Sequence, residues 1–231
     1  MIGPNYEARR NRLLRKLKEA SVDSLLVTGP SNVRYLTGFS GSSGWLFLSS
    51  STTVILSDTR YETQLTDECP GLDAEIRDAT STLDDHAGRV IAKARVKRVG
   101  IEADYVTLSQ HSSLAKKIVS AELVSTSGLV ERLREVKDKW EIEQTREAVR
   151  IAERGFAVVR SSLRPNQTET EIRFLLEAAM RSFGSTGPAF EPIVGVGPTS
   201  ALPQLIRSSR LFRIKNCDLC VGRLSDGLFV C

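Results

Sequence analysis

The sequence is poor in histidine, cysteine and aromatic residues, and these shortages exclude several classes of protein. Its 231 residues include two His and four Cys, too few for a histidine-rich metal protein or a disulfide-stapled secreted domain. Cys69 has no cysteine near it, and the other three lie close to the C-terminus. This pattern predicts free thiols in a reducing cytoplasm. Apolar residues make up 41% and charged residues 26%, which is typical of a globular chain.

The sequence also lacks an excess of one charge and a long apolar run. Lys and Arg number 32 and Asp and Glu 28, a net charge of +4, which predicts no nucleic-acid partner. The uncharged stretch 35–57 has the length of a membrane span, but it is rich in Ser, Thr and Gly. Two strands and a turn explain it better. The N-terminus has no signal-peptide core, so we predict a cytoplasmic protein without membrane contact.

Strands and helices alternate through residues 1–127. The chain opens with an amphipathic helix whose cations, among them Arg9, are predicted to lie on the solvated face. Strands are then predicted at 24–27, 45–48, 53–56, 98–101 and 121–124, with helices at 83–94 and 108–118. A hairpin is expected to join the second and third strands. The alternation predicts an α/β layer architecture.

The pattern changes near residue 128, where a second domain is predicted to begin. Residues 129–136 read as a short helical connector. A long helix follows, with an apolar stripe at three- and four-residue steps that predicts one buried face: Ile142, Thr145, Val149, Ala152, Phe156 and Val159. Thr168 and Glu171 form a capping box for the next helix. We therefore predict a domain at 1–127, a linker helix at 128–136 and a second domain at 137–231.

Four motifs follow one another along the chain. They are Val-Arg-Tyr-Leu-Thr-Gly-Phe-Ser-Gly at 33–41, Asp-Thr-Arg-Tyr at 58–61, Leu-Arg-Glu-Val-Lys-Asp at 133–138 and Ile-Val-Gly-Val-Gly-Pro-Thr-Ser-Ala-Leu-Pro at 193–203. In this order and spacing they resemble the Xaa-Pro aminopeptidase and prolidase group of creatinase-like "pita-bread" metallopeptidases. The resemblance implies a creatinase-type N-terminal mixed-sheet α/β domain followed by an incomplete pita-bread α/β catalytic domain.

The resemblance also implies a chemistry. Members of this group hydrolyse the bond before proline, so the expected partners are peptides with proline at the second position, and a homo-oligomer is a further expectation. They use two divalent metals such as Mn, Co or Zn, held by two Asp, one His and two Glu. Such metals activate a bridging water and polarise the scissile carbonyl. The resemblance leaves aminopeptidase and dipeptidase activity as alternatives.

The C-terminal part departs from the family pattern. The family's Ser-Ala-Leu-Pro-His segment ends here in Gln204, and glutamine carries no titrating proton. After Glu177 the acidic residues are Glu191, Asp218 and Asp226, with no His. Asp226 could be a surviving ligand, but a solvated turn residue is the commoner case. We therefore predict no intact catalytic residue, no metal site or cofactor, and little or no activity for this chain, as in a truncated or frameshifted product or a fragment.

Three further alternatives stay open at this stage. The chain could instead be a non-catalytic module that binds peptides or proteins. Asp58 and Arg60 could form a structural salt bridge, or Arg60 could bind a peptide carboxylate as a substrate-binding residue. The sequence Cys217-x-x-Cys220 with Cys231 could be incidental thiols or part of a zinc site shared across a dimer.

Overall fold

The structure is a computed structural model that describes residues 3–195 and the short strand Cys220–Val221. The chain divides into two compact units, Met1–Asp138 and Lys139–Cys231. The predicted boundaries at residues 127 and 137, with a separate linker helix between them, stay predictions. Among the described residues, no helix combines the length and the apolar character that a membrane crossing requires.

The first unit alternates strands and helices, as the sequence predicts. Its elements are α1 (Tyr6–Glu19), β1 (Ser24–Val27), α2 (Pro30–Thr37), β2 (Gly44–Ser49), β3 (Thr53–Asp58), α3 (Glu62–Glu68), β4 (Asp73–Arg77), α4 (Leu83–Ala94), β5 (Arg98–Glu102), α5 (Leu108–Lys117), β6 (Glu122–Thr126) and α6 (Glu131–Glu135). All five predicted strands and the three predicted helices of residues 1–127 are present. The expected hairpin is confirmed as the antiparallel pair β2–β3.

The strands form one mixed sheet in the order β4-β3-β2-β1-β5-β6. Strand β2 runs antiparallel to both neighbours, and the other pairs are parallel. Five strands therefore point the same way, and their carboxyl ends meet at one edge. The predicted mixed-sheet α/β class is confirmed.

Both faces of the sheet are covered, because successive side chains of a strand point to opposite faces. In β1, Leu25 and Val27 pack in a cluster with Leu13 of α1, whereas Leu26 packs in a second cluster with Ile91 of α4. All five of these side chains are 0% exposed. The near-continuous apolar run of β1 is what a strand buried on both faces requires.

Helices α2 and α3 and strand β4 were not predicted. Helix α2 begins with Pro30 in its first turn and ends at Gly38, whose φ of +90° is the left-handed conformation that glycine adopts readily. Both signals are in the sequence, but the uncharged stretch from residue 35 favoured strands. Strand β4 is an edge strand with no fully buried side chain. Its residues alternate polar and apolar, but the signal is weak because it extends over five residues with Ile76 as the one large apolar side chain.

Substituting Gly88 by alanine is expected to destabilise the first unit by about 2 kcal/mol, although alanine favours helices. A Cβ at Gly88 would lie 2.8 Å from the carbonyl oxygen of Lys117, so α4 and α5 would have to separate. Urea unfolding of the variant measures the effect. Gly3→Ala is the matched control, because a Cβ there meets nothing within 4 Å. Equal stability of the two variants would contradict the expectation.

The described part of the second unit consists of two helices and a two-stranded ribbon. They are α7 (Lys139–Ser162), α8 (Glu169–Ser182), β7 (Val194–Gly195) and β8 (Cys220–Val221), with the two strands antiparallel. The predicted capping box of Thr168 and Glu171 is confirmed. Val159, Ile172 and Val194 lie in a small core between these elements.

The predicted buried face of α7 is present in only half of the helix. Val159 is buried and Phe156 packs against the core. In the first half, Ile142 is 41% and Val149 is 48% exposed, so the prediction of a fully buried stripe is wrong there. The physical reason is that α8 packs against the second half of α7, next to Gly155 and Val159.

Candidate functional site

Polar residues collect at the carboxyl edge of the sheet in the first unit. Thr28 follows β1, Asp58 ends β3, Arg77 ends β4 and Glu102 ends β5. In open α/β sheets, ligands bind outside the carboxyl ends of the strands. This edge is therefore the candidate site that the described residues of the first unit offer.

Asp58 and Arg60 form a two-pronged ion pair at this edge. The Arg60 Nε donates to Oδ1 of Asp58 at 2.9 Å, and Nη2 donates to Oδ2 at 2.8 Å. The Asp58 side chain is 5% exposed, whereas that of Arg60 is 70% exposed. The Asp58 carboxylate also accepts a hydrogen bond from Ser43, and Arg77 approaches it at 3.5 Å. The structural salt bridge is thus observed, and a substrate-binding role for Arg60 stays a prediction.

The charges of this pair stabilise each other. The Arg60 side-chain hydrogen bonds are the main cause that holds the pKa of Asp58 well below its usual range, against the opposing effect of burial. The same contact raises the pKa of Arg60. Two arginines face one carboxylate here, so the cluster of Asp58, Arg60 and Arg77 carries a net positive charge. An exposed guanidinium in such a cluster can meet an anionic group of a ligand.

Tyr61 fixes the glycine-rich loop 38–44 beside this ion pair. Its hydroxyl lies 2.8 Å from Oγ of Ser42, and its ring meets that of Phe39 edge-on at 5.6 Å. A Cβ at Gly41 would lie 2.3 Å from the Phe39 ring, so only glycine fits there. The loop leads into strand β2 rather than a helix, which is not the geometry of a phosphate-binding loop.

Glu102 is a buried residue that the sequence analysis missed. Its carboxylate accepts hydrogen bonds from the backbone N–H groups of Thr28 at 2.6 Å and Gly29 at 2.7 Å. A third comes from Nδ2 of Asn32 at 2.7 Å. Burial raises the pKa of Glu102 above its usual value, and these three hydrogen bonds act in the opposite direction. The carboxylate thus holds the start of α2 against the end of β5.

Asn32 extends this network to α6. Its side chain is fully buried, and Nδ2 also donates to Oε1 of Glu131 at 2.5 Å. Nη1 of Arg134 donates to Oδ1 of Asn32 at 3.0 Å. Three elements far apart in sequence, α2, β5 and α6, are therefore joined by one buried amide.

Arg9 corrects a second expectation. It was predicted on the solvated face of α1 but is 2% exposed. Its Nη2 donates to Oδ2 of Asp138 at 2.8 Å, and its Nη1 donates to the backbone oxygen of Tyr35 at 3.0 Å. Its guanidinium also lies over the Tyr35 ring, 4.3 Å from the centroid. Arg9 thus connects α1, α2 and the end of the first unit.

Several predicted residues lie outside the described residues. They are Gln204, Asp226, Cys217 and Cys231, while Cys220 is described only by its place in β8. Cys69 is free, as predicted, and its side chain is buried. Within residues 3–195, no group of three or more His, Cys, Asp and Glu side chains is arranged to hold a metal ion. The described donors therefore do not fit a two-metal site, and the expectation of a metal-free chain stays untested.

Two protein families match the chain. Residues 9–136 match the creatinase/prolidase N-terminal domain, and residues 143–223 match metallopeptidase family M24. Among sequence relatives, the uncharacterized peptidase YqhT of Bacillus subtilis is 32% identical over 87% of this chain and 56% of its own length. The Xaa-Pro dipeptidase of Pyrococcus furiosus is 24% identical over 92% of this chain and 59% of its own. The chain thus spans little more than half of these relatives.

Solved structures agree with the family matches. An Xaa-Pro dipeptidase from Bacillus anthracis has a TM-score of 0.84 at 31% identity, over 90% of this chain and 58% of that one. The N-terminal domain of the cytoplasmic peptidase PepQ from Mycobacterium tuberculosis has a TM-score of 0.52 at 34% identity, over 55% of this chain and 98% of that one. The chain therefore belongs to the creatinase/prolidase family and joins a creatinase-type N-terminal domain to part of an M24 pita-bread domain.

Proposed function

We propose that this chain is part of an Xaa-Pro peptidase, and that the whole protein hydrolyses the bond before proline in the cytoplasm. The observation that carries the proposal is the likeness to the Bacillus anthracis Xaa-Pro dipeptidase, which extends over 90% of this chain. The similar domain belongs to PepQ, a cytoplasmic peptidase of Mycobacterium tuberculosis, which supports the location. The proposed substrates are peptides with proline at the second position. The relatives named above are peptidases, so nothing in the comparisons favours a purely binding function.

For residues 1–231 by themselves we propose little or no hydrolysis and no resident metal. Support comes from the sequence: Gln204 stands where the family has His, and after Glu177 only Glu191, Asp218 and Asp226 are acidic. In the family, a bound metal pair would supply an activated water and a polarised carbonyl. The described carboxylates do not fit that pair, so we assign none of them a catalytic step.

The purified chain, supplied with manganese, is expected to show no turnover of an Xaa-Pro dipeptide or tripeptide. Metal content by mass spectrometry after dialysis is expected to be well below two ions per chain. The full-length Pyrococcus furiosus Xaa-Pro dipeptidase serves as the positive control for the assay. The variant Gln204→His is expected to stay inactive as well, because it supplies no carboxylate ligand. Two metals with turnover, in either form, would refute the proposal.

We further propose that Arg60 binds the carboxylate of a peptide. Asp58 holds its Nε and Nη2 atoms, which fixes the direction of the guanidinium. At the same time the side chain stays 70% exposed and can reach a ligand. A fixed, exposed guanidinium is suited to bind a carboxylate because little side-chain entropy remains to be lost.

Replacing Arg60 by alanine is expected to weaken binding of a free-carboxylate Xaa-Pro peptide at least tenfold, since a charge-assisted hydrogen bond contributes about 1.5–3 kcal/mol. Backbone amide shifts during a peptide titration measure the dissociation constant. A C-terminally amidated peptide should bind the variant and the original chain equally. Arg89→Ala, at another exposed arginine, is the matched control. Unchanged binding after Arg60→Ala would leave Arg60 with its ion pair to Asp58 alone.

A further inference from the structure

Three polar side chains form a line between β4 and the start of α4. Oγ of Ser81 lies 2.9 Å from Nε2 of His86. Nδ1 of the same imidazole lies 3.1 Å from Oε1 of Glu75. A serine hydroxyl, an imidazole and a carboxylate in this order are the three parts of a nucleophilic serine triad. We call Ser81, His86 and Glu75 the Ser81 triad.

The imidazole of this triad is buried. His86 is 5% exposed, and among the described residues its Nδ1 is a buried side-chain atom that lacks an aligned hydrogen-bond partner. The Glu75 carboxylate is the acceptor within reach of it. Because an unsatisfied buried nitrogen is costly, we expect Nδ1 to carry the ring proton and direct it to Glu75. Nε2 then accepts the proton of Ser81, and this is the tautomer in which an imidazole acts as a base for a serine.

The loop before α4 holds Ser81 in place. Oδ1 of Asp78 accepts hydrogen bonds from the backbone N–H and the hydroxyl of Thr80 and from the backbone N–H of Ser81. Nη1 of Arg77 donates to the backbone oxygens of Asp78 and Ser81. The Ser81 hydroxyl has two acceptors, since Oδ1 of Asp78 also lies 2.9 Å from it. Asp78 keeps its three other donors when the hydroxyl turns to His86.

The surroundings of Ser81 favour an uncharged ligand. Ser81 is partly exposed, and Asp78, Asp84 and Asp85 lie within four residues of it, so an anionic ester would be repelled. Ser81 also directly precedes Thr82, the N-cap of α4. A helix N-terminus stabilises the negative charge that develops on a carbonyl oxygen under attack. These features together suit a neutral carboxylic ester.

We propose that Ser81 is a nucleophile that takes the acyl group from neutral carboxylic esters, with His86 as its base and Glu75 as a positioning residue. Oγ of Ser81 bonds to the carbonyl carbon while its proton passes to Nε2 of His86. The bond from that carbon to the leaving alcohol breaks, and the alcohol takes the proton from Nε2. Water then attacks the acyl-serine by the same route, which releases the carboxylic acid and returns the proton to Oγ. The inference goes beyond the proposed peptidase function and uses neither Arg60 nor the M24 domain, so each can fail while the other holds.

A neutral fluorophosphonate ester tests the nucleophile on the full chain, because Oγ of an activated serine displaces its fluoride. Mass spectrometry is expected to show a single adduct, which peptide mapping places on Ser81. Ser81→Ala is expected to abolish the adduct and to lower hydrolysis of p-nitrophenyl acetate at least tenfold. Ser112→Ala is the matched control at an exposed serine of α5 and should change neither result.

The base is tested by the rate of labelling. His86→Asn is expected to slow it at least tenfold, since a positioned general base contributes about 10²–10⁴-fold. His111→Asn, at the other histidine of the chain, is the matched control because His111 is exposed. Far-UV circular dichroism shows whether each variant keeps its fold.

The role of Glu75 is tested by the pH dependence of labelling, which also serves if His86→Asn does not fold. Glu75 faces His86 from β4, Arg89 of α4 lies 3.9 Å from the same oxygen of Glu75, and Asp78 lies beyond Ser81. In Glu75→Gln, the fall in labelling rate on acidification is expected to move to lower pH, because an imidazolium loses its neighbouring carboxylate. A merely structural Glu75 would leave that profile in place.

Three results would overturn the proposal: no adduct on the original chain, an adduct on another residue, or labelling that is indifferent to both Ser81→Ala and His86→Asn. The contact of Ser81 with His86 would then serve only to join the loop to α4.

Discussion

Replacing Glu102 by alanine is expected to lower the free energy of unfolding of the first unit by about 4 kcal/mol. The substitution leaves the N–H groups of Thr28 and Gly29 and one of the two Nδ2 hydrogens of Asn32 without an acceptor, and each unsatisfied buried donor costs about 1–3 kcal/mol. Urea unfolding followed by tryptophan fluorescence measures the loss. Trp45 lies in the first unit, so a Trp140→Phe background makes the signal report that unit alone.

The matched control is Glu122→Ala. Glu122 forms an exposed ion pair with Arg98 on the neighbouring strand, and such pairs contribute about 1 kcal/mol or less to the free energy of unfolding. A loss of similar size at both positions would show that the buried network around Glu102 has no special role. Asn32→Ala should lower the free energy of unfolding nearly as much as Glu102→Ala, because it removes the amide that joins Glu102 to Glu131 and Arg134.

The pH dependence of this network follows from the direction of the Glu102 shift. Burial raises its pKa, so the folded chain binds the proton more tightly than the unfolded chain. The corresponding stability is present in full below the ordinary glutamate pKa and is lost as the pH rises through the folded value. Glu102→Gln removes this titration. The difference in free energy of unfolding, original chain minus Glu102→Gln, is therefore expected to be larger at pH 4 than at pH 7. A larger difference at pH 7 would contradict the raised pKa of Glu102.

Five of the six strands in the sheet of the first unit were predictable from the sequence, but the Glu102 network was not. The consecutive apolar residues Leu25, Leu26 and Val27 predict a buried strand, and β1 is buried on both faces at these residues. Glu102 stands at the end of a strand, where a charged residue usually marks solvent. Its burial depends on the turn at Thr28 and Gly29, more than 70 residues earlier. A local pattern contains no information on such a long-range contact.

The second unit shows what periodicity leaves undecided. The spacing from Ile142 to Val159 predicted a long helix, and α7 extends over 24 residues. The same spacing predicted a buried face, yet Ile142 and Val149 are exposed. Periodicity identifies which side of a helix is apolar, whereas burial depends on what lies against that side. Gln204 falls outside the described residues, so the prediction made for that position stays a prediction.

The cationic composition of α1 does not distinguish Arg9 from its neighbours, but its spacing to the apolar residues does. Arg9, Arg10 and Arg12 share the opening turns of α1, and a cationic run on a helix is normally solvated. Only Arg9 falls on the line of Leu13 and Leu17, at four-residue steps, which is the buried side. The buried guanidinium is stabilised by contacts that include the Asp138 carboxylate, the Tyr35 carbonyl and the Tyr35 ring.

Substituting Arg9 by methionine is expected to destabilise the first unit by about 3 kcal/mol, because the Asp138 carboxylate loses both guanidinium hydrogen bonds and removal of one partner of a buried ion pair costs about 3–5 kcal/mol. The Asp138 side chain is 27% exposed, which places the effect at the lower end for such pairs. Arg9→Lys should recover only part of the loss, since an ammonium can neither make the forked contact nor stack on a ring. Arg15→Met, at an exposed position of the same helix, is the matched control and should change stability by less than about 0.5 kcal/mol.

A double-mutant cycle tests the role of Asp138. The loss of stability caused by Arg9→Met should be much smaller in an Asp138→Asn background, because the negative charge that Arg9 neutralises is already absent there. If Arg9→Met lowers the free energy of unfolding equally in both backgrounds, the ion pair with Asp138 does not contribute. The stability due to Arg9 would then come from its contacts with Tyr35.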